Sequence, residues 1–193
     1  MMKQIEADGY VFNFADDVVE AIVFDSIEYN GVQHAMKSVD IIAEFPEEYL
    51  FIELKKYDAN RGGIEFRCPI WDDKKLISSK CPLNNHKEKR DKASTKRIAS
   101  DLRRKYCDTL LYYFAEGKLT KSVNYFCVIG GCDSAIMLRL QEILKHALPK
   151  GIPTTTRWMR PLVKNLAVVN VKTWNESPQL SRYGTCQWAL QNI

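Results

Sequence analysis

The chain is predicted to form a single mixed α/β domain with the element order helix, three strands, helix, strand, helix, strand. Three observations predict this class. Strand-like segments follow one another between residues 32 and 57, and an amphipathic helical pattern covers residues 95–118. The stretch "VNYFCVIGG" at 123–131 is a continuous apolar run that is typical of a strand buried on both faces. The 193 residues suit one domain, 1–193, with its core at about 13–174.

The first predicted element is a helix over residues 13–27, "NFADDVVEAIVFDSI", because its apolar residues recur at helical spacing. Asn13 is a suitable N-cap, and acidic residues occupy the first turn. Three strands are predicted next, at 32–36, 39–45 and 49–57.

The remaining elements complete the order. A long basic loop or insertion is predicted at 58–93, because this stretch has little periodicity. Ser94 is a suitable cap for the helix at 95–118, which Gly117 ends. The later elements are a strand at 123–131, a helix at 134–148, a strand at 165–174 and a partly ordered tail at 175–193.

Composition excludes some classes of protein. The chain is 46% hydrophobic and 27% charged, as in globular proteins, and no run approaches the ~18 apolar residues of a spanning helix. The start, "MMKQIEADGY", has no apolar signal region, so we expect a cytoplasmic location and no membrane partner. The spacing of Cys68, Cys81 and His86 matches no zinc-ligand pattern, and most of the six cysteines are expected to be small core residues.

Charge is distributed unevenly along the chain. The net charge is only +4, but residues 74–105 carry twelve basic residues against three acidic ones. Taken alone, such a run favours a solvated surface. Next to a cation site it suits a polyanion partner such as nucleic acid.

One hairpin, "VDIIAEFPEEYLFIELKKY" at 39–57, carries charges inside good strand sequence. Pro46 suits the second position of a tight turn, so Phe45 is expected to lie opposite Glu48. Counting outward from this turn places Asp40 directly across from Glu53. The register therefore brings two carboxylates together on one face of the sheet.

Lys55 lies on the same strand face as Glu53, because side chains alternate along a strand. Two neighbouring carboxylates repel unless a cation lies between them, and Mg²⁺ prefers a few carboxylate oxygens together with water and phosphate. A lysine beside the pair can orient or deprotonate the attacking water. The pattern predicts metal-assisted phosphodiester hydrolysis, and its alternative is an ion pair between Lys55 and either carboxylate.

The hairpin resembles the signature of the PD-(D/E)XK nuclease superfamily, the restriction-endonuclease-like fold. Asp40 matches the Asp that begins the motif, and Glu53-Leu54-Lys55 match the (D/E)-x-K that follows the hairpin. Val39 stands where the family name has proline. The resemblance implies a mixed central sheet with an αβββαβ core flanked by helices.

The resemblance also implies a function, an endonuclease-like Mg²⁺-dependent cleavage of DNA, or less often RNA, with Mn²⁺ as a substitute. Asp40, Glu53 and the main-chain carbonyl of Leu54 would hold the metal, and Lys55 would serve the attacking water. Many members carry a helper Glu on the preceding helix, for which Glu20 is the nearest match; the alternatives are Asp16, Asp17 and Asp25. In this interpretation phosphates are contacted by four basic residues of the following helix: Lys96, Arg97, Arg103 and Arg104. A homodimer, a partner subunit, or a non-catalytic nucleic-acid-binding or assembly subunit with the same fold stays open.

Overall fold

The structure is a computed structural model that describes residues 3–26, 35–56, 87–132, 134–148 and 161–189. The elements within these ranges are, in chain order, β1 Gln4–Ala7, β2 Tyr10–Phe14, β3 Glu20–Val23, β4 Ile41–Glu44, β5 Glu48–Lys56, α1 Lys87–Ala115, β6 Ser122–Gly130, α2 Ser134–Ala147, β7 Asn165–Val169, α3 Val171–Glu176, α4 Pro178–Ser181 and β8 Gly184–Trp188. This arrangement confirms the mixed α/β class.

Two sheets form the framework. The larger sheet has the order β3-β4-β5-β6-β7, in which β3, β4 and β5 are antiparallel while β5, β6 and β7 are parallel. Apolar residues of α1 and α2 pack against one of its faces. The other face packs against the small sheet β1-β2-β8 together with α3 and α4. The central sheet is therefore covered on both sides. Among the described residues, no helix is long and apolar enough to cross a membrane.

The predicted hairpin and its register are confirmed. Pairs such as Ile41 with Ile52 follow the predicted count, and the Phe45 N–H donates to the Glu48 carbonyl at 2.9 Å. The register matters for the site, because a one-residue slip would move Asp40 to the face of the sheet opposite to Glu53. Predictions for the strand at 123–131 and the helix at 134–148 are confirmed as β6 and α2.

The predicted helix at 13–27 is wrong. Phe14 ends β2, a turn follows, and β3 begins at Glu20, so Asn13 lies in a strand and caps no helix. The segment 18–23 is rich in Val and Ile, whose branched side chains suit strands. Pairing with β4 then decides the outcome: the Val19 N–H donates to the Glu44 carbonyl at 2.8 Å. Of the strand predicted at 32–36, only residues 35 and 36 are described, and they form a turn and a bend.

The later boundaries also change. Helix α1 begins at Lys87, inside the stretch predicted as loop. The rest of that stretch, 58–86, with Cys68, Cys81 and His86, lies outside the described residues. Gly117, with φ of 70°, follows its end as predicted. The strand predicted at 165–174 is divided into β7 and α3, because the Asn170 side chain accepts the Thr173 N–H and caps a helix.

The predicted tail at 175–193 is part of the fold over its described residues, 175–189. Strand β8 pairs with β2, and Trp174 is fully buried. Glu48, at the start of β5, links this segment to the central sheet. Its carboxylate accepts hydrogen bonds from Tyr183 Oη at 2.5 Å, Arg182 Nη2 at 2.6 Å and Lys164 Nζ at 2.9 Å.

The Glu48 cluster predicts a pH dependence of stability. Burial alone would raise the pKa of Glu48, but hydrogen bonds from Tyr183 and Lys164 lower it to about 2 from an ordinary value of 4.5. The stabilisation is therefore complete above pH 4.5 and is lost as the pH falls towards 2. The shift corresponds to at most about 3 kcal/mol, and we expect about 2 because Arg182 is half exposed.

We expect Glu48→Gln to lower the free energy of unfolding by about 2 kcal/mol at pH 7, measured by urea denaturation. The gap between the variant and the unmodified protein should narrow at pH 3, where the unmodified protein loses the same interaction. An equal gap at both pH values would contradict the assignment.

Candidate metal centre

Asp40 lies where the pairing of β4 with β5 stops. Regular pairing ends at Ile41, and the next acceptor for the Leu54 N–H would be the carbonyl of Val39. Instead Asp40 Oδ2 accepts the Leu54 N–H at 2.6 Å, while the Val39 N–H donates to Thr109 Oγ1 at 3.0 Å. The carboxylate therefore replaces a backbone group of the ladder, which fixes its position beside β5.

Glu53, Lys55 and Asp40 converge as the hairpin register predicts. Lys55 Nζ lies 2.5 Å from Glu53 Oε1. Lys105 Nζ, from α1, lies 2.8 Å from the same oxygen and 3.1 Å from Asp40 Oδ1. The Glu53 side chain is fully buried, and 7% of the Asp40 side chain is exposed. One cationic group thus bridges two buried carboxylates.

Packing of α1 places Lys105 in this site. The Tyr125 hydroxyl donates to the Leu102 carbonyl at 2.9 Å, and the Tyr106 ring packs against Phe51 with centroids 5.9 Å apart. These contacts fix the middle of α1 over β5 and β6. Lys105 belongs to the basic run of the sequence, and its position next to Leu102 and Tyr106 puts it beside the buried stripe of α1. That pattern indicates a partly buried lysine but does not identify the carboxylates that it contacts.

The residues present fit a divalent cation. Glu53 Oε2 is buried and has no hydrogen-bond partner among the described residues. Asp40 offers Oδ1, and the Leu54 carbonyl lies on the same edge of β5 as its N–H, facing Asp40. No cluster of three or more His, Cys, Asp or Glu side chains suited to a metal occurs in the described ranges. Two carboxylates and a carbonyl are a donor set for Mg²⁺ that shares its coordination with water and phosphate.

Electrostatics at the site follow from burial. Burial, with the charge of Asp40 next, raises the pKa of Glu53 to about 8. Burial also raises the pKa of Asp40, although Lys105 and Lys55 oppose the shift. For Lys105, burial alone would lower the pKa, but the two carboxylates raise it above its ordinary value. Such desolvated carboxylates favour a cation in contact with them.

Glu20 does not join the site. It pairs with Glu44 near the hairpin turn, four residues along β4 from Asp40 and thus about 13 Å away along the strand. Asp16 and Asp17 lie in the turn before β3. Among the sequence alternatives, Asp25 lies at the Asp40 end of the sheet: it accepts a hydrogen bond from Ser38 Oγ at 2.6 Å, and the neighbouring Phe24 N–H donates to the Asp40 carbonyl at 2.9 Å.

The four predicted phosphate contacts, Lys96, Arg97, Arg103 and Arg104, are all exposed on α1. Lys96 lies about 14 Å along the helix axis from Lys105. Arg104 Nε donates to Asp108 Oδ2 at 3.3 Å, so its charge is partly offset. These residues form a basic surface on the helix that supplies Lys105.

The Tyr10 hydroxyl, from the small sheet, bridges the ends of β5 and β6 next to the site. The Tyr10 hydroxyl donates to the Lys55 carbonyl at 2.7 Å and accepts the Gly130 N–H at 2.8 Å. Trp188 stacks on the Tyr10 ring, with centroids 4.4 Å apart. A Cβ at residue 130 would overlap Trp188, which explains the glycine there. Tyr10 therefore fixes the backbone that carries Lys55, a role the sequence analysis did not predict.

Neither the family models nor the curated proteins nor the solved structures give a significant match to this chain. The resemblance to the PD-(D/E)XK nucleases accordingly stays a prediction from the motif.

Proposed function

We propose that this chain is a Mg²⁺-dependent nuclease of the PD-(D/E)XK type, with a restriction-endonuclease-like fold, that hydrolyses phosphodiester bonds in DNA. The observation that carries the proposal is the shared cation position between Asp40 and Glu53, with Lys55 beside it. The unpartnered Glu53 Oε2 supports it further, because a buried carboxylate oxygen without a donor is costly unless a ligand binds it.

The fold is compatible with this proposal. The order β3-β4-β5-α1-β6 corresponds to the βββαβ part of the expected αβββαβ core, and the motif strand β5 pairs in parallel with β6. In the described residues before β3, the strands β1 and β2 stand where the expected leading helix would lie, and Glu20 is on β3 itself. Glu20, which that helix would have carried, is therefore not part of the proposed machinery.

Each residue has a distinct role in the proposed reaction. Asp40, Glu53 and the Leu54 carbonyl would hold a divalent cation, which supplies positive charge to the scissile phosphate when bound. Lys55 is the most exposed member of the site, with 24% of its side chain accessible. It would orient the attacking water and offset charge that develops on the phosphate. The exposed basic surface of α1 would contact neighbouring phosphates without sequence choice.

A second candidate is a non-catalytic nucleic-acid-binding or assembly subunit with the same fold. One observation favours it: two lysines already neutralise the two carboxylates, so the cluster needs no metal to be stable. In this case Lys55 and Lys105 would be structural, and their removal would affect stability alone.

The test incubates the purified chain with plasmid DNA, single-stranded DNA and RNA, each with Mg²⁺, Mn²⁺ or EDTA. We expect cleavage with either metal and none with EDTA. Lys55→Met should lower the rate about 100-fold while retaining nucleic-acid binding. Lys121→Met is the matched control. Lys121 has a similar exposure, 23% of its side chain, and its Nζ lies 2.5 Å from Glu44 Oε1, outside the site. Cleavage that persists in EDTA, or equal rates for the two variants, would contradict the proposal.

A further inference from the structure

Lys105 occupies the space that a cation shared by Asp40 and Glu53 would fill. Its Nζ contacts Asp40 Oδ1 at 3.1 Å and Glu53 Oε1 at 2.8 Å, and only 12% of its side chain is exposed. We propose that the Lys105 ammonium is an internal substitute for the divalent cation, so that metal enters this site only when Lys105 withdraws. This inference rests on the proposed function, because that function requires the metal.

The charges explain why the ammonium and the metal exclude one another. With both carboxylates ionised, Asp40 and Glu53 are balanced by Lys55 and Lys105. A divalent cation between the same oxygens would lie within a few ångströms of the Lys105 ammonium, where like charges repel strongly in a buried site. Lys55 is more exposed than Lys105, and within the described residues Glu53 is the one carboxylate that it contacts, so it can remain.

Helix α1 carries two other carboxylates that the Lys105 ammonium can contact when it leaves the site. Asp101 and Asp108 lie four residues before and three residues after it, which is one turn of the helix in each direction. Their carboxylates already pair with Lys37 and Arg104 near the surface, so an ammonium that left the site would share these acceptors with the two residues. A lysine has a flexible four-carbon stem, and its ammonium can exchange partners without movement of the helix.

The experiment measures Mn²⁺ binding to the full chain by calorimetry, in the absence of nucleic acid. We expect Lys105→Met and Lys105→Gln to bind Mn²⁺ about 10-fold or more tightly than the unmodified protein, because the competing charge is gone. Lys105→Arg keeps the charge and should not tighten binding. Lys121→Met, which removes a lysine outside the site, should bind as the unmodified protein does.

A second measurement uses the unmodified protein alone. Amine acetylation followed by peptide mass spectrometry reports how accessible each lysine is. We expect the rate at Lys105 to rise several-fold when Mn²⁺ is added, while the rate at Lys121 stays constant. This measurement keeps the inference testable if a Lys105 variant does not fold.

The outcomes separate the inference from the proposed function. If the unmodified protein binds Mn²⁺, and either the Met and Gln variants bind no more tightly or acetylation of Lys105 does not respond, the inference is wrong and the proposed function stands. If only the Met and Gln variants bind, the inference stands and the unmodified chain is not a metal-dependent enzyme. If no form binds Mn²⁺, both are wrong.

Discussion

Asp40→Asn is expected to lower metal-dependent DNA cleavage about 1000-fold, because it removes a charged ligand from a site whose metal contributes several kcal/mol to the reaction. The substitution is chosen to preserve the structure. An asparagine oxygen can still accept the Leu54 N–H that Asp40 Oδ2 accepts at 2.6 Å. The loss of charge next to Lys105 should cost about 1–2 kcal/mol of stability. Initial cleavage rates with Mg²⁺ and urea denaturation measure the two effects.

Glu44→Gln is the control for this variant. Glu44 ends β4, the strand that Asp40 immediately precedes, and it pairs with a lysine, Lys121, but it is near the hairpin turn. We expect its cleavage rate to stay within a factor of two or so of the unmodified protein. If Asp40→Asn alters stability alone and leaves cleavage intact, Asp40 is a structural residue and the metal centre is not the catalytic site.

Trp174→Ala is expected to lower the free energy of unfolding by about 4 kcal/mol, since truncation of a buried aromatic residue leaves a large cavity. Trp174 is fully buried and packs edge-on against Phe12 at 5.4 Å and Phe126 at 5.8 Å between centroids. Its Nε1–H donates to the Gly184 carbonyl at 3.0 Å. The side chain therefore joins the central sheet, the small sheet and the start of β8. Urea denaturation followed by circular dichroism measures the change.

Trp188→Ala provides the comparison, because Trp188 is 43% exposed and stacks on the Tyr10 ring. We expect Trp188→Ala to lower the free energy of unfolding by half as much as Trp174→Ala, about 2 kcal/mol, or less. A small effect of Trp174→Ala, comparable with that of Trp188→Ala, would mean that the segment after Trp174 contributes little to the fold, as the predicted partly ordered tail at 175–193 implied.

The hairpin was predictable because its determinants are local. Pro46 sets the turn, and counting outward from the turn fixes which residues of β4 and β5 are paired. That register carries Asp40, Glu53 and Lys55 to one face without any further information. The long helix α1 and the buried strand β6 were predictable for a similar reason, since each has its own periodic pattern.

Segments whose sequence fits both a helix and a strand were not predictable. Residues 18–23 satisfy the helical spacing and also carry the branched side chains of a strand. Pairing with the edge of β4 selects the strand. The Val19 N–H donates to the Glu44 carbonyl and the Phe24 N–H to the Asp40 carbonyl, and this ladder outweighs the local helical preference. The C-terminal segment is similar, because β8 exists only through its pairing with β2, more than 170 residues earlier in the chain.

The sequence by itself determined that two carboxylates and a lysine meet on one hairpin face, because a turn and a two-residue period fix which side chains are neighbours. Only the tertiary structure decided what lies between those carboxylates. Lys105 reaches them from a helix 65 residues after Asp40, and Tyr10 fixes the adjacent strand from 45 residues before Lys55. Contacts over such separations depend on how layers pack against one another, and no local pattern along the chain encodes that packing.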